Sequence, residues 1–305
     1  MSDLILHHYD SSPYAEKVRL MLGLKGLAWS SVEIPRIMPK PDLMPLTGGY
    51  RRTPVLQIGA DIYCDTHLIA IELERRHPEP SLLQGGAGLA AVVSAFAEGQ
   101  MFWTAAGFLM GSIADAMPDD FHQDRARMRG AAGADVAKLK AAVPRHREQL
   151  VPQLDQLADL LAGAAPFLAG SRAGLADLCA YHPLWFLDRG GRAVNEVLEA
   201  RPALRRFMQA VADIGHGTRT ALEASAALDI ARAAEPATAA GVEENAEGWQ
   251  AGDRVGVAPT DYGRDPVVGT LTGYGDGRIS LLREDERVGA VAVHFPRIGF
   301  AIRRV

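Results

Sequence analysis

LILHHYDSSPYAEKVRLML, residues 4–22, decides the fold. Leu4, Ile5 and Leu6 are a short apolar run that reads as a buried strand, followed by a turn that leads straight into a helix. Ser11 or Ser12 serves as the N-cap, and Pro13 stands at the first helical position, where no backbone N–H is needed. Val18, Leu20, Met21 and Leu22 supply the apolar side of that helix. The chemistry lies at the junction. A hydroxyl there stands among unpaired N–H groups at the positive end of the helix dipole, a place that favours a carboxylate, a phosphate or a thiolate. The same residues also read as an ordinary helix cap, so the choice falls to what lies downstream.

Residues 28–35, AWSSVEIP, mix alternation with β-branched side chains and stop at a proline, as a strand does. PRIMPKPDLMPLTGGY, residues 35–50, carries four prolines and two glycines, which predicts irregular chain with at most one short helix. PVLQIG and ADIYC then form a hairpin-like pair around Gly59, Ala60 and Asp61. Asp65 and Thr66 open a helix whose Leu68, Ile69, Ile71 and Leu73 keep helical spacing, and His77-Pro78 ends it.

This order, with S-S-P-Y-A-E-K-V-R, R-R-T-P-V-L-Q and D-T-H-L-I-A-I-E-L at its junctions, resembles the thioredoxin-like half of soluble, bacterial-type glutathione S-transferases. The resemblance extends over roughly residues 3–230. It implies that Ser12, or its neighbour Ser11, faces the sulfur of glutathione at the first helix start. It implies a cis bond at Thr53-Pro54, with the Thr53 backbone pairing to the cysteinyl unit. Arg52 falls near the glycine carboxylate, with Arg51 able to take the same part, and Asp65 with Thr66 meets the γ-glutamyl end. Glutathione is then the co-substrate, no metal is needed, and the partner molecule is a hydrophobic electrophile of the kind met in detoxification. With serine in place of cysteine at position 12, conjugation, isomerisation or dehalogenation fits better than disulfide exchange. The alternative is a transferase-like protein that binds glutathione or a partner without turnover. The family also implies a homodimer.

From Gly88 to about Ile230 the chain is rich in Ala and Leu at helical spacing. AAVVSAFAEGQMFWTAAGFLMGSIAD reads as one helix, and the stretch around Pro144 and Pro152 as another, kinked or broken at one of the prolines. Before LADLCAYHPLWFL the cap position holds Gly174 with Asp177 three residues on, so the reciprocal capping box of the family is lost. Tyr14, Phe102, Trp103 and Phe108 are the candidates for a second-substrate pocket, although aromatic stripes of this kind also build cores.

Residues 231–248 are poor in bulky apolar side chains and read as a linker. Beyond them, short β-branched runs separated by Gly, Asp and Pro predict about five strands, with a hairpin at Gly275-Asp276-Gly277. The expectation is thus a thioredoxin-like domain over 1–80, an all-helical domain over 87–230, and a small all-β barrel over 249–305. The barrel is expected to fold separately and dock on the rest. A net charge of −5 and a nearly neutral tail argue against nucleic acid or an anionic membrane as partner. No run of about 20 apolar residues predicts a membrane span, and the N-terminus lacks the basic start of a signal peptide. Cys64 and Cys179 read as buried free thiols, in keeping with a cytoplasmic protein.

Overall fold

The structure is a computed structural model that describes residues 4–237 and 241–305. The first three residues of the N-terminal reading and residues 238–240 of the expected linker lie outside the described residues.

The first domain begins with β1 (Ile5–His8), α1 (Pro13–Leu24) and β2 (Ala28–Glu33). It continues with the one-turn α2 (Met44–Thr47), β3 (Val55–Ile58), β4 (Asp61–Cys64) and α3 (Thr66–Arg76). β1 pairs parallel with β2 and antiparallel with β3, and β3 pairs antiparallel with β4. Side chains alternate across this sheet, which gives it two cores. Leu4 and Leu6 join the core that α1 and α3 share with the helical half, while Ile5 joins one on the opposite face.

The helical half opens with α4 (Ala87–Phe96), which passes through a π-helical turn at Ala97–Met101 into α5 (Phe102–Ser112). α6 (Asp119–Met128), α7 (Val136–Ala141) and α8 (Val143–Leu160) follow, then α9 (Leu175–Asp188), α10 (Arg192–Glu199) and α11 (Pro202–Ala212). The α7–α8 break falls next to Pro144, which occupies the start of α8, and Pro152 is carried inside α8. At the start of α9, half of the capping box survives. Asp177 accepts from Gly174 N–H at 2.8 Å and from Leu168 N–H at 2.8 Å, so the loss at Gly174 is only that of a side-chain acceptor.

The C-terminal third departs from expectation. β5 (Thr218–Ala221) pairs parallel with β2, and α12 (Ala224–Ala233) packs Ala227, Leu228 and Ala231 into the second core. Residues 218–233 therefore belong with the first sheet rather than with the helical domain or a linker. Then come β6 (Gly241–Val242), β7 (Arg254–Pro259), β8 (Val267–Gly275), β9 (Arg278–Asp285), β10 (Gly289–Pro296) and β11 (Phe300–Arg304). The β8–β9 turn has Asp276 and Gly277 at φ 47° and 72°, the left-handed region that such turns require.

These last strands do not close on themselves. β10 pairs parallel with β4, with Ala292 opposite Asp61, Val293 opposite Ile62 and His294 opposite Tyr63. The pairing runs β11-β7-β8-β9-β10-β4-β3-β1-β2-β5, with β6 on β8, and makes one sheet of eleven strands among the described residues. The expected closed, separately folded barrel is thus replaced by an extension of the first sheet. The reason is physical: Val55, Ile62 and Tyr50 bury against Val257, Leu281, Val293 and Phe295, so extension and first domain share one core.

Candidate active site

A cleft of about 940 Å³ lies between the first domain and the helical half. Three junctions of the first domain meet on its wall. The first is Ser12, extended at φ −81° and ψ 120°, whose Oγ accepts from Ala15 N–H at 3.2 Å as the N-cap of α1. It is 3% exposed, and Ser11 lies beside it on the cleft. The Tyr9 phenol stands next to the Ser12 hydroxyl, and burial lifts its pKa above the usual tyrosine range although Arg125 is close. The sequence reading missed Tyr9, because a tyrosine just past a strand carries no signal of where its hydroxyl ends up.

The second junction is Thr53-Pro54, which is cis. Thr53 Oγ1 accepts from Lys40 Nζ at 3.1 Å, and the Arg51 carbonyl accepts from the same ammonium at 3.0 Å. Lys40 is 3% exposed and forms no ion pair among the described residues. Burial, together with the Arg125 and Arg51 charges, lowers its pKa to about 7. Lys40 comes from the proline-rich stretch that sequence alone reads as irregular chain, so only its contacts reveal it.

The third junction is the start of α3. Asp65 caps the helix by accepting from His67 N–H at 2.9 Å, and Thr66 is buried beside it on the cleft. Asp65 sits at φ 77°, a conformation that costs a non-glycine residue about 1–3 kcal/mol and concentrates at functional sites.

Arg52 borders the same cleft, yet its guanidinium is engaged elsewhere. It pairs with Asp261 at 2.5 Å, donates to the Tyr262 carbonyl, and lies 5.5 Å from the centre of the Tyr262 ring. Both partners belong to the β7–β8 loop of the extension. Arg51 pairs with Asp124 of α6. Both arginines thus stand in ion pairs, whereas Lys40 beside Thr53 has none among the described residues.

On the helical side, Tyr14 packs against Phe102 at 4.8 Å and Phe102 against Trp103 at 5.4 Å, all three on the cleft. Phe108 is a correction. It is 3% exposed within the helical core, and Ala106, Gly107 and Met110 of α5 line the cleft instead. Glu98, on the π-helical turn, also reaches the cleft. Burial opposes its charge, but Lys17 at 2.5 Å and His182 at 3.3 Å hold its carboxyl well below the usual range. Among the described residues no group of His, Cys, Asp and Glu is placed to hold a metal, and no helix is long and apolar enough to cross a membrane. Cys64 and Cys179 are free and buried.

Known proteins carry the same architecture. Residues 6–81 match the glutathione S-transferase N-terminal domain and residues 140–210 the C-terminal domain. A solved GST-like protein from Pseudomonas syringae is 38% identical over 100% of both chains, with a TM-score of 0.82. The chain belongs to the glutathione S-transferase family. More distant transferases share the fold of about 70% of the chain. A transferase from Methylobacillus flagellatus KT, solved with glutathione bound, is 19% identical over 70% of this chain and 98% of its own, with a TM-score of 0.53. The Tau class transferase of mango, Mangifera indica, is 18% identical over 70% of this chain and 92% of its own, at 0.54. The Pseudomonas protein is matched over the whole of both chains, so its match includes the sheet extension. No curated protein matches the sequence.

Proposed function

We propose that this transferase-family chain conjugates glutathione to a hydrophobic electrophile. The observation that carries the reading is that Ser12, Thr53 with cis-Pro54, and Asp65-Thr66 converge on one wall of a single cleft. Each offers what one part of the tripeptide needs. Asp65 presents a carboxylate to the γ-glutamyl amine, and the start of α3 suits the carboxylate of that same unit. Thr53 presents backbone groups to the cysteinyl unit, with Lys40 beside it as the cation for the glycine carboxylate. Ser12 donates its hydroxyl to the sulfur at the positive end of α1.

These groups lower the thiol pKa from its ordinary value of about 8.5, so that the thiolate is populated near neutral pH. The thiol proton leaves to solvent and a C–S bond forms at the electrophilic carbon; a halide then departs with its electron pair, or, with an enone, the displaced π pair takes up a proton. Tyr14, Phe102 and Trp103 give the second substrate an apolar wall. Two further features belong to the proposal: a homodimer, in which exposed Ile71 of α3 and Val92 of α4 are suited to burial, and a cytoplasmic setting, which the two free cysteines favour. The extension packs on its own chain, so it gives no support to a partner-binding role in place of catalysis.

Calorimetric titration with glutathione, followed by a conjugation assay over a panel of aryl halides, enones and alkyl halides, tests the reading. Binding with turnover of at least one electrophile is expected. Binding without any turnover would leave a glutathione-binding protein, and absence of binding would overturn the proposal.

A further inference from the structure

We propose that the β7–β8 loop of the sheet extension is a wall of the electrophile site, and that Tyr262 is its specificity-determining residue. The inference rests on the transferase reading above. It begins with how firmly the loop is held. Asp261 and the Tyr262 carbonyl bind the Arg52 guanidinium of the first domain. Gly263 N–H donates to the Met128 carbonyl at the end of α6, at 2.8 Å. Gly263 is buried at φ 56°, and a Cβ there would meet Met128 Cε at 3.0 Å, so the loop presses closely on the helical half. Thr260 is fixed through its N–H and its hydroxyl to the Gly299 carbonyl at 3.0 and 3.2 Å. The loop is thus tied to both walls of the cleft and to its own sheet.

What the loop presents to the cleft is an aromatic ring. Tyr262 meets Trp103 edge to face at 5.3 Å, Trp103 meets Phe102 at 5.4 Å, and Phe102 meets Tyr14 at 4.8 Å. The result is an unbroken row of four rings, starting two residues after Ser12 and ending on the extension. The Arg52 charge at the far end is paired with Asp261, so the Tyr262 end of the row carries no unpaired charge. The row suits a flat or extended apolar electrophile laid along the rings, with its reactive carbon at the Ser12 end and its far end against Tyr262. Half-buried Tyr262 is the member of the row that a substrate reaches last.

Glutathione, S-methylglutathione and S-hexylglutathione titrated into the full chain separate this role from clamping alone. Tyr262→Ala should weaken S-hexylglutathione about fivefold relative to S-methylglutathione, because only the longer chain reaches the ring. Affinity for glutathione should stay within about twofold of wild type, and Tyr262→Phe should restore the hexyl preference. If Tyr262→Ala fails to fold, Tyr262→Leu carries the test with a loss of about twofold in the same ratio. An unchanged hexyl-to-methyl ratio in either variant would overturn the inference while leaving glutathione binding in place. A wild-type chain that binds none of the three ligands would overturn the transferase reading and this inference with it.

Discussion

His294 on β10 places its ring Nε2 2.9 Å from Oδ1 of Asp61 on β4, across the line where the sheet extension meets the first sheet. The other ring nitrogen lies 2.9 Å from Ser280 Oγ on β9, and the ring stacks on Tyr63 at 4.7 Å. The second Asp61 oxygen accepts from Ala237 N–H at 3.0 Å. One buried carboxylate therefore joins three separate stretches of chain. Asp61→Ala should destabilise the fold by about 1–3 kcal/mol, since it leaves the buried His294 ring nitrogen without its partner. Thermal unfolding checks this: a melting temperature equal to wild type would reduce the seam to its backbone pairing.

Ser12→Ala tests thiol activation. Turnover should fall by roughly 10–100-fold while glutathione binding weakens by less than about threefold, because the hydroxyl acts on the thiolate more than on the bound peptide. Steady-state kinetics with a calorimetric Kd separates the two effects. Unchanged turnover would move the hydroxyl role to Tyr9 or Ser11.

Lys40 gives glutathione recognition a pH dependence of its own. Burial and the neighbouring guanidiniums hold its pKa at about 7 in the free protein. The ammonium is therefore present below pH 7 and is lost as pH rises through that value, so a carboxylate ligand should bind with proton uptake. Affinity for S-methylglutathione, which has no thiol to titrate, should decline between pH 6 and 8 by roughly tenfold. In Lys40→Met the affinity should be low and flat across the range. Parallel pH profiles in the two proteins would remove Lys40 from the site.

His7 and His8 predict the acid response of the fold. Burial lowers His7 to about 4 despite its bond with Gln57, and burial together with the Arg19 charge lowers His8 to about 3. Both are neutral in the folded chain, whereas the unfolded chain takes up protons below about 6.5. Unfolding then binds protons, so the stability these groups contribute is present above pH 6.5 and lost as pH falls toward 3–4. Denaturant midpoints measured from pH 7 to 4 should fall steadily, and His8→Asn should flatten that slope. An equal slope in the variant would place the acid sensitivity elsewhere.

The strand-to-helix opening, the β3–β4 hairpin and the cap at Asp65 were legible because their signals are local: alternation, helical spacing, and Gly, Pro or Asp at the turns. The five C-terminal strands were legible for the same reason. Their attachment was not, since pairing of β10 with β4 depends on residues 233 apart, such as Asp61 and His294, that no short window joins. Arg52 shows the same limit at the site. Its ion pair with Asp261, 209 residues away, lies beyond any short window. Phe108 failed for a different reason: α5 is apolar nearly all round, so periodicity alone does not say which face meets the cleft.

The parallel pairing of β10 onto β4 also decides what the molecule shows to other molecules of its own kind. A bare β4 would offer a row of free backbone groups to any passing strand, the usual starting point for uncontrolled association. With β10 seated there, the ends of the sheet pass to β5 and β11. β5 is only four residues long and exposed, and carries Arg219 paired with Asp10; β11 ends in Arg303 and Arg304. Margins this short offer a second copy few backbone groups to pair with, so seating β10 on β4 leaves the sheet little edge on which to grow.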